Sequence, residues 1–196
     1  MSDLSEQLSL DGFGPEPSGR DRLFFAVLPE EPAAQAAAAL ARQLAGPGDT
    51  CVRLEHLHVT LHHLGDHLGV PTDVVQMAER AARAAATAAR PFDVCFDQVQ
   101  RFDRHGRKAA TVLTGHAGAS AVRSFQVALA AEMKRAGLGQ WVEKSFTPHM
   151  TLLYGHHGVA PRSADAVHWQ VRELALVHSF IGETRHEVLG RWSIRG

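Results

Sequence analysis

The sequence lacks long apolar runs and is poor in cysteine, and both features exclude classes of protein. No apolar run approaches the roughly 20 residues that cross a bilayer, and the N-terminus has no basic segment followed by an apolar one. The two cysteines, Cys51 and Cys95, have no second thiol at metal-ligand spacing. We therefore expect a cytoplasmic protein with free thiols, no disulfide framework and no membrane partner.

An excess of charge of one sign is also missing. Lys and Arg number 20 against 21 Asp and Glu, a formal net charge of -1. Because a long nucleic-acid backbone is held by a broad positive field, we expect no extended nucleic-acid footprint, and any such partner should be gripped at one end. The 196 residues suffice to bury a core without a structural metal, and we expect a monomer.

The chain divides into a polar leader and a folded region. Residues 1–20 are rich in Gly, Pro and Ser, which predicts a flexible leader. Residues 21–196 are assigned to a single two-lobed domain. Strands are predicted at residues 20–28, 52–64, 92–102, 108–114, 149–152, 167–177 and 184–194, and helices at 33–45, 72–89 and 120–136.

Local signals set the expected ends of these elements. Thr72 and Ser120 are candidate N-caps, Gly137 is a helix stop, and Gly65 with Asp66 forms a turn signal after the second strand. Residues 103–106 form a predicted hairpin loop, and residues 179–183 a second one. The order of elements predicts an α+β fold with mainly antiparallel sheets.

Histidine is abundant, and two of the 13 histidines stand in matching motifs. Only His58 and His149 are followed by x-Thr-Leu. On a strand, residues two apart face the same side, so His58 projects with Thr60, and His149 with Thr151. Hydrolysis of a phosphodiester needs a base, an acid and donors to the phosphoryl oxygens, which two imidazoles and two hydroxyls supply. The motifs predict one metal-independent site for a phosphodiester.

A zinc site is the chemical alternative, because His58 and His62 have the i, i+4 spacing of helical zinc motifs. His56, His63 and His67 lie nearby. The local pattern is that of a strand, and neither Glu nor Cys accompanies the histidines as in a zinc hydrolase, so we predict no metal and no other cofactor. Strand alternation places His62 on the same face as Thr60, where it lines the edge of the pocket or, like His67, is exposed to solvent. It places His63 on the opposite face, in the core. The remaining loop histidines are predicted to be exposed and without a role: His105, His116, His156 and His157.

Three segments resemble the 2H phosphoesterase superfamily, most closely the RNA 2′,3′-cyclic phosphodiesterases, long called 2′-5′ RNA ligases. They are residues 22–27 (RLFFAV), 57–61 (LHVTL) and 146–152 (FTPHMTL). Residues 176–179 and 187–192 are similar to that family's final hairpin, so the resemblance spans residues 21–194. It implies two pseudo-twofold related antiparallel sheets, helices packed outside, and a central cleft where the motifs meet.

The resemblance also implies a reaction. It is hydrolysis of a 2′,3′-cyclic phosphate on an RNA or nucleotide end to a 2′-phosphate. His58 is expected as the acid toward the 3′ oxygen and His149 as the base for water, or the reverse. Thr60 and Thr151 are expected to hold phosphate oxygens. Joining of RNA ends through a 2′-5′ bond is expected only as the reverse reaction.

One position departs from the family pattern, His-x-Thr-Leu-x-Arg. Tyr154 stands where that Arg is expected, and strand alternation places it with Met150 and Leu152, in the core or between lobes. If Tyr154 instead faces the cleft, it can stack on a nucleobase or form a hydrogen bond to the ligand. A cation can come instead from Arg101, Arg104 or Arg107, if their hairpin reaches the cleft. Two alternatives stay open: a non-catalytic module that binds a nucleotide or RNA end, and a phosphodiesterase for 2′-5′ oligonucleotides or another small cyclic phosphate.

Overall fold

The computed structural model describes residues 20–103, 108–115, 117–155 and 159–195. These ranges form two antiparallel sheets and three α-helices, which confirms the predicted α+β architecture. The first sheet has the order β3-β1-β8-β9, from β3 (Val59–His67), β1 (Asp21–Val27), β8 (Glu173–Phe180) and β9 (Arg185–Ser193). The second has the order β2-β6-β5-β4-β7, from β2 (Thr50–Cys51), β6 (His149–Gly155), β5 (Ala109–Thr114), β4 (Phe92–Phe102) and β7 (Arg162–Val171).

The three helices lie close to their predicted positions. They are α1 (Glu31–Leu44), α2 (Thr72–Ala88) and α3 (Ser120–Ala136). Gly137 follows α3 with a φ of 97°, a left-handed conformation that glycine adopts without steric cost, as predicted. The predicted N-caps are wrong by one residue: Thr72 and Ser120 are the first helical residues, and Pro71 and Ala119 precede them.

Three strand boundaries differ from the prediction. The segment 52–64 is not one strand, because a 3-10 turn at Leu54–His56 separates β2 from β3. Gly65 is not a turn after the strand: with a φ of 98° it lies within β3, where the pairing with β1 shifts register. The alternating run 167–177 spans two strands, since β7 ends before Arg172 and β8 begins after it.

The main core covers one face of the first sheet and extends to residues of the second sheet. In β1, Leu23, Phe25 and Val27 pack into the main core, to which all three helices contribute buried alanines or larger apolar residues. Phe24 and Ala26 point to the opposite face and form a small separate cluster with Ala175 and Val177. That opposite face borders the candidate site.

Several predictions concern residues outside the described ranges. They are the leader up to residue 19, the loop at 104–107, and the histidines at 105, 116, 156 and 157. The assignment of residues 21–196 to a single domain stays a prediction. Within the described ranges, no helix has both the length and the apolar character needed to cross a membrane.

His62 of β3 is held by hydrogen bonds to α3 and to the segment that follows it. It is fully buried, its Nε2–H donates to the Gln126 carbonyl at 3.1 Å, and its Nδ1 accepts from the Glu143 backbone N–H at 3.3 Å. Burial lowers the pKa of His62 below its usual 6.5. The folded chain therefore holds His62 neutral at pH values where an unfolded chain takes up a proton.

We expect the free energy of unfolding to fall as pH drops below 6.5, because unfolding then takes up protons at His62. His62→Leu should cost about 1–3 kcal/mol at neutral pH, since it leaves the partners of the imidazole unpaired, and should weaken the pH dependence. Urea denaturation at several pH values measures both effects. The control His168→Ala, at an exposed position of β7, should change neither.

Candidate active site

All four residues singled out by the two motifs line one cavity. It has a volume of about 590 Å³ and is lined by His58, Thr60, His149 and Thr151. His58 immediately precedes β3 in the first sheet, and His149 begins β6 in the second. The cavity therefore takes one motif from each sheet.

Both imidazoles are held in the same way by the backbone. The Nδ1–H of His58 donates to the His56 carbonyl, and that of His149 donates to the Thr147 carbonyl, each at 2.7 Å. Because a carbonyl oxygen only accepts, Nδ1 carries the proton in both neutral rings. Nε2 is thus the ring nitrogen that carries the lone pair at each position.

Each imidazole also packs against an aromatic ring. Phe24 of β1 stacks on His58, and Phe102 at the end of β4 meets His149 edge-on, both with ring centroids 4.9 Å apart. These contacts exclude water from one side of each ring and fix its orientation.

Burial lowers the pKa of both candidate catalytic histidines. At His58 desolvation is the largest effect, the bond to the His56 carbonyl opposes it, and the positive charge of protonated His149 lowers the pKa further. At His149 burial outweighs the bond to the Thr147 carbonyl. The charge of His149 therefore acts on His58, and both imidazoles are neutral at pH 7 in the free protein.

The hydroxyls differ in their bonding. Thr60 Oγ1 lies 3.0 Å from Nε2 of His58, so its O–H donates to the neutral imidazole. Within the described part of the chain, no corresponding hydrogen bond joins Thr151 to His149. The Nε2 lone pair of His149 is therefore more available to accept a proton than the Nε2 lone pair of His58.

A β-bulge follows the Thr in each motif and overturns three predictions. Relative to the neighbouring strand, Leu61 in β3 and Leu152 in β6 are extra residues. A bulge turns two consecutive residues to one side and so reverses the alternation after it. His62 is buried, whereas His63 and Tyr154 line the cavity.

These positions correct the strand-based assignments. His62 does not share a face with Thr60, His63 is not a core residue, and Tyr154 does not lie with Met150 in the core. The bulge also separates His58 from His62, which removes the i, i+4 pair on which the zinc alternative depended. Within the described residues, no group of three His, Cys, Asp or Glu side chains has an arrangement that could hold a metal ion.

Cations reach the cavity from elements that the sequence did not single out. Arg22 of β1 and Arg53 line it, whereas Arg101 is not among the lining residues and bonds Asp103 at 2.5 Å. Arg22 is held by both carboxylate oxygens of Asp66, at 2.7 and 2.6 Å. The Arg22 guanidinium lowers the pKa of the Asp66 carboxyl. The cleft thus has a fixed guanidinium beside Tyr154, although Tyr154 replaces the expected arginine.

Two further histidines lie beside His58. His186 of β9 stacks on His56, with ring centroids 4.2 Å apart, and meets His58 edge-on at 5.7 Å. Burial, with the neighbouring imidazoles, lowers the pKa of His186 to about 4. Sequence reasoning missed His186 because only the pairing of β9 with β8, opposite Ser179, brings it to the cleft.

The comparison with protein families identifies one match. Residues 28–180, more than half of the chain, match the model of the 2′-5′ RNA ligase superfamily. The matched region contains both histidine motifs. No curated protein sequence matches the chain.

Solved structures share the fold at low sequence identity. A Thermus thermophilus protein, TT0787, is 23% identical with a TM-score of 0.74, and the match covers 89% of this chain and 98% of that one. E. coli LigT in its apo form is 20% identical with a TM-score of 0.72, covering 90% and 98%. E. coli LigT complexed with 3′-AMP is 22% identical with a TM-score of 0.71, covering 90% and 99%.

Proposed function

Because this chain belongs to the 2′-5′ RNA ligase superfamily, as its resemblance predicted, we propose that it is a phosphoesterase that hydrolyses 2′,3′-cyclic phosphodiesters at RNA or nucleotide ends. The product is a 2′-phosphate with a free 3′ hydroxyl. The observation that carries the proposal is the meeting of His58, Thr60, His149 and Thr151 in one cavity. The complex of E. coli LigT, a protein of the same fold, with 3′-AMP supports a nucleotide as the ligand class.

The two imidazoles divide the proton transfers. His149 Nε2 takes a proton from water as the water oxygen bonds to phosphorus, and His58 Nε2–H gives its proton to the 3′ oxygen as the P–O3′ bond breaks. His149 ends protonated and His58 neutral, and proton exchange with solvent restores the starting state. The bond from Thr60 favours this division, because it leaves the lone pair of His149 the more available for water.

The threonine hydroxyls stabilise charge on the phosphate. When His58 is neutral, the Thr60 hydroxyl donates to it. When His58 is protonated at Nε2 and donates that N–H to the 3′ oxygen, it can no longer accept from Thr60, and the Thr60 O–H becomes available to a non-bridging oxygen. Protonation of the acid therefore prepares a donor where negative charge accumulates in the transition state. Thr151 supplies the second donor.

Arg22, paired with Asp66, is the guanidinium that we assign in place of the arginine missing from the motif. Its guanidinium is about one-third exposed and oriented by Asp66. A guanidinium held in this way can face a phosphate without losing further side-chain entropy. Tyr154 then offers a phenol and a ring face to the nucleotide rather than a charge.

The test is turnover of a nucleoside 2′,3′-cyclic phosphate by the purified chain with EDTA present. We expect full activity and a 2′-phosphate as the single product, identified by nuclear magnetic resonance. A 3′-phosphate product contradicts the assigned leaving group. Measurable binding without turnover of any cyclic phosphate supports the non-catalytic alternative, and faster turnover of a 2′-5′ linked oligonucleotide supports the other substrate class.

The pH profile provides an independent check. The reaction needs one protonated and one neutral imidazole, and the pKa values of both His58 and His149 lie below 6.5 in the free protein. Because kcat/KM reports the free enzyme, it should peak below pH 6.5 and fall as pH rises, when the acid loses its proton. The bound phosphate raises both pKa values, so kcat should peak at a higher pH. Steady-state rates from pH 4.5 to 8.5 measure both, and a kcat/KM that climbs up to pH 8 contradicts the mechanism.

A further inference from the structure

His186 is a part of the cleft wall to which the proposed reaction assigns no task. It lies on β9 opposite Ser179 of β8, and Ser179 lies opposite Arg22 of β1. All three residues line the catalytic cavity. The cavity wall therefore runs across three strands, from a guanidinium at Arg22 to an imidazole at His186.

The surroundings of His186 fix its ring. The imidazole stacks on His56, with ring centroids 4.2 Å apart, and meets Phe24 edge-on at 5.8 Å. The preceding residue, Arg185, lies over the ring of Phe180, 3.4 Å from its centroid, and pairs with Phe180 across the strands. A side chain held by such ring contacts loses little further entropy when it binds a ligand.

The ring nitrogens of His186 are unused. Over the part of the chain that the structure describes, neither nitrogen forms a hydrogen bond, whereas Nδ1 of both His58 and His149 donates to a carbonyl. The ring is part-buried, and its nitrogens are not among the fully buried unpaired atoms, so both remain accessible. Two hydrogen-bonding atoms are thus free to meet a ligand.

His186 meets that ligand as an uncharged group. Burial, together with the neighbouring His56 and His58 imidazoles, lowers the pKa of His186 to about 4. The ring is therefore neutral above pH 5.5, and a neutral imidazole offers one N–H donor and one acceptor nitrogen. Such a pair suits the polar, uncharged groups of a sugar or a nucleobase better than it suits a phosphate.

The proposed reaction determines which part of the substrate adjoins His186. Because His58 protonates the 3′ oxygen, the ribose that carries this oxygen lies on the His58 side of phosphorus, and water lies on the His149 side. His186 meets His58 edge-on, with ring centroids 5.7 Å apart, and lines the same cavity. The nucleoside, rather than the attacking water, is therefore the part beside His186.

We propose that His186 is a specificity-determining residue, which hydrogen-bonds the nucleoside and favours a nucleoside 2′,3′-cyclic phosphate over a cyclic phosphate that lacks a nucleoside. The proposal rests on the proposed function, which places His58 at the leaving oxygen. A site built to hydrogen-bond a substrate group discriminates against an analogue without that group, because its own polar atoms are then left without partners.

The test compares two substrates that contain the same five-membered cyclic diester, adenosine 2′,3′-cyclic phosphate and glycerol 1,2-cyclic phosphate. His186→Ala should lower kcat/KM for the adenosine substrate about tenfold, mainly through KM, which corresponds to roughly 1.4 kcal/mol. The glycerol substrate should be little affected, because Phe24 and the His56 carbonyl still hold His58.

Two further variants separate hydrogen bonding from ring packing. His186→Phe keeps a ring against His56 but has no nitrogen, so it should lose as much of the preference for adenosine as His186→Ala. His186→Gln supplies a donor and an acceptor and should restore most of the preference. In the unaltered chain, the ratio of the two kcat/KM values should stay constant from pH 5.5 to 8.5. The controls His168→Ala and His168→Phe, at an exposed position of β7, should leave the ratio unchanged.

The outcomes are separable from those of the proposed function. An equal fall for both substrates overturns the proposal, because it shows that His186 only positions His58, and full preference in His186→Phe also overturns it. If the unaltered chain turns over neither substrate, the proposed function fails, and calorimetric titration with adenosine 3′-phosphate and with inorganic phosphate then tests His186. Weaker binding of the nucleotide alone by His186→Ala supports the contact, whereas unchanged binding overturns it. Thermal denaturation verifies that each variant folds.

Discussion

Replacing either His58 or His149 by alanine should lower kcat for a 2′,3′-cyclic phosphate about 10²- to 10⁴-fold, because each removes a positioned acid or base. The double variant should lose less than the product of the two single effects, because the two proton transfers belong to one step. The Thr60 and Thr151 donors remain, so binding of a nucleotide phosphate should persist. Single-turnover rates and equilibrium binding measure the two quantities separately.

A matched histidine elsewhere in the chain provides the control. His168 of β7 is exposed and does not line the cavity, so His168→Ala should retain full activity. Full activity in the His58→Ala, His149→Ala double variant would refute the proposed mechanism. Unfolding midpoints for all variants exclude loss of folding as the cause.

Thr60→Val and Thr151→Val should each lower kcat about 10²- to 10³-fold, the usual effect of removing one donor to a developing oxyanion. The loss should be larger for Thr60, because its hydroxyl also bonds Nε2 of His58. Valine keeps the shape of threonine, so the fold should be retained. Rates are measured at saturating substrate, where binding does not contribute.

Two serine substitutions test whether the hydroxyl group itself is responsible for the expected loss of activity. Thr60→Ser and Thr151→Ser keep the hydroxyl and should restore most of the activity. Thr87 of α2 donates to the Arg83 carbonyl and does not line the cavity, so Thr87→Val should have no effect on turnover. Equal activity of the valine and serine variants would show that the hydroxyls do not act on the phosphate.

Much of the fold and the four motif residues could be predicted from local patterns. Alternation along a strand places His58 with Thr60 and His149 with Thr151, and the structure brings all four to one cavity. Helix ends were predictable within a residue or two, because glycine, proline and alanine act on the backbone locally.

The positions after the motifs could not be predicted by counting residues. A bulge at Leu61 and another at Leu152 are defined only by pairing with β1 and β5, strands distant in sequence. Each bulge reverses the alternation of the residues after it. The bulge at Leu61 turns His62 into the core and His63 to the cleft, and the bulge at Leu152 turns Tyr154 to the cleft. A regular strand is the only pattern that local alternation can describe.

The sequence by itself determined the paired motifs, the chemistry that two imidazoles and two hydroxyls permit, and the α+β class. Tertiary structure alone decided that Arg22 lines the cleft, that His186 meets His58 edge-on, and that a second cavity with three arginines in its wall forms elsewhere. The reason is physical. Side-chain type and local periodicity are properties of neighbouring residues, whereas bulges, burial and cross-strand partners arise only when distant strands pair.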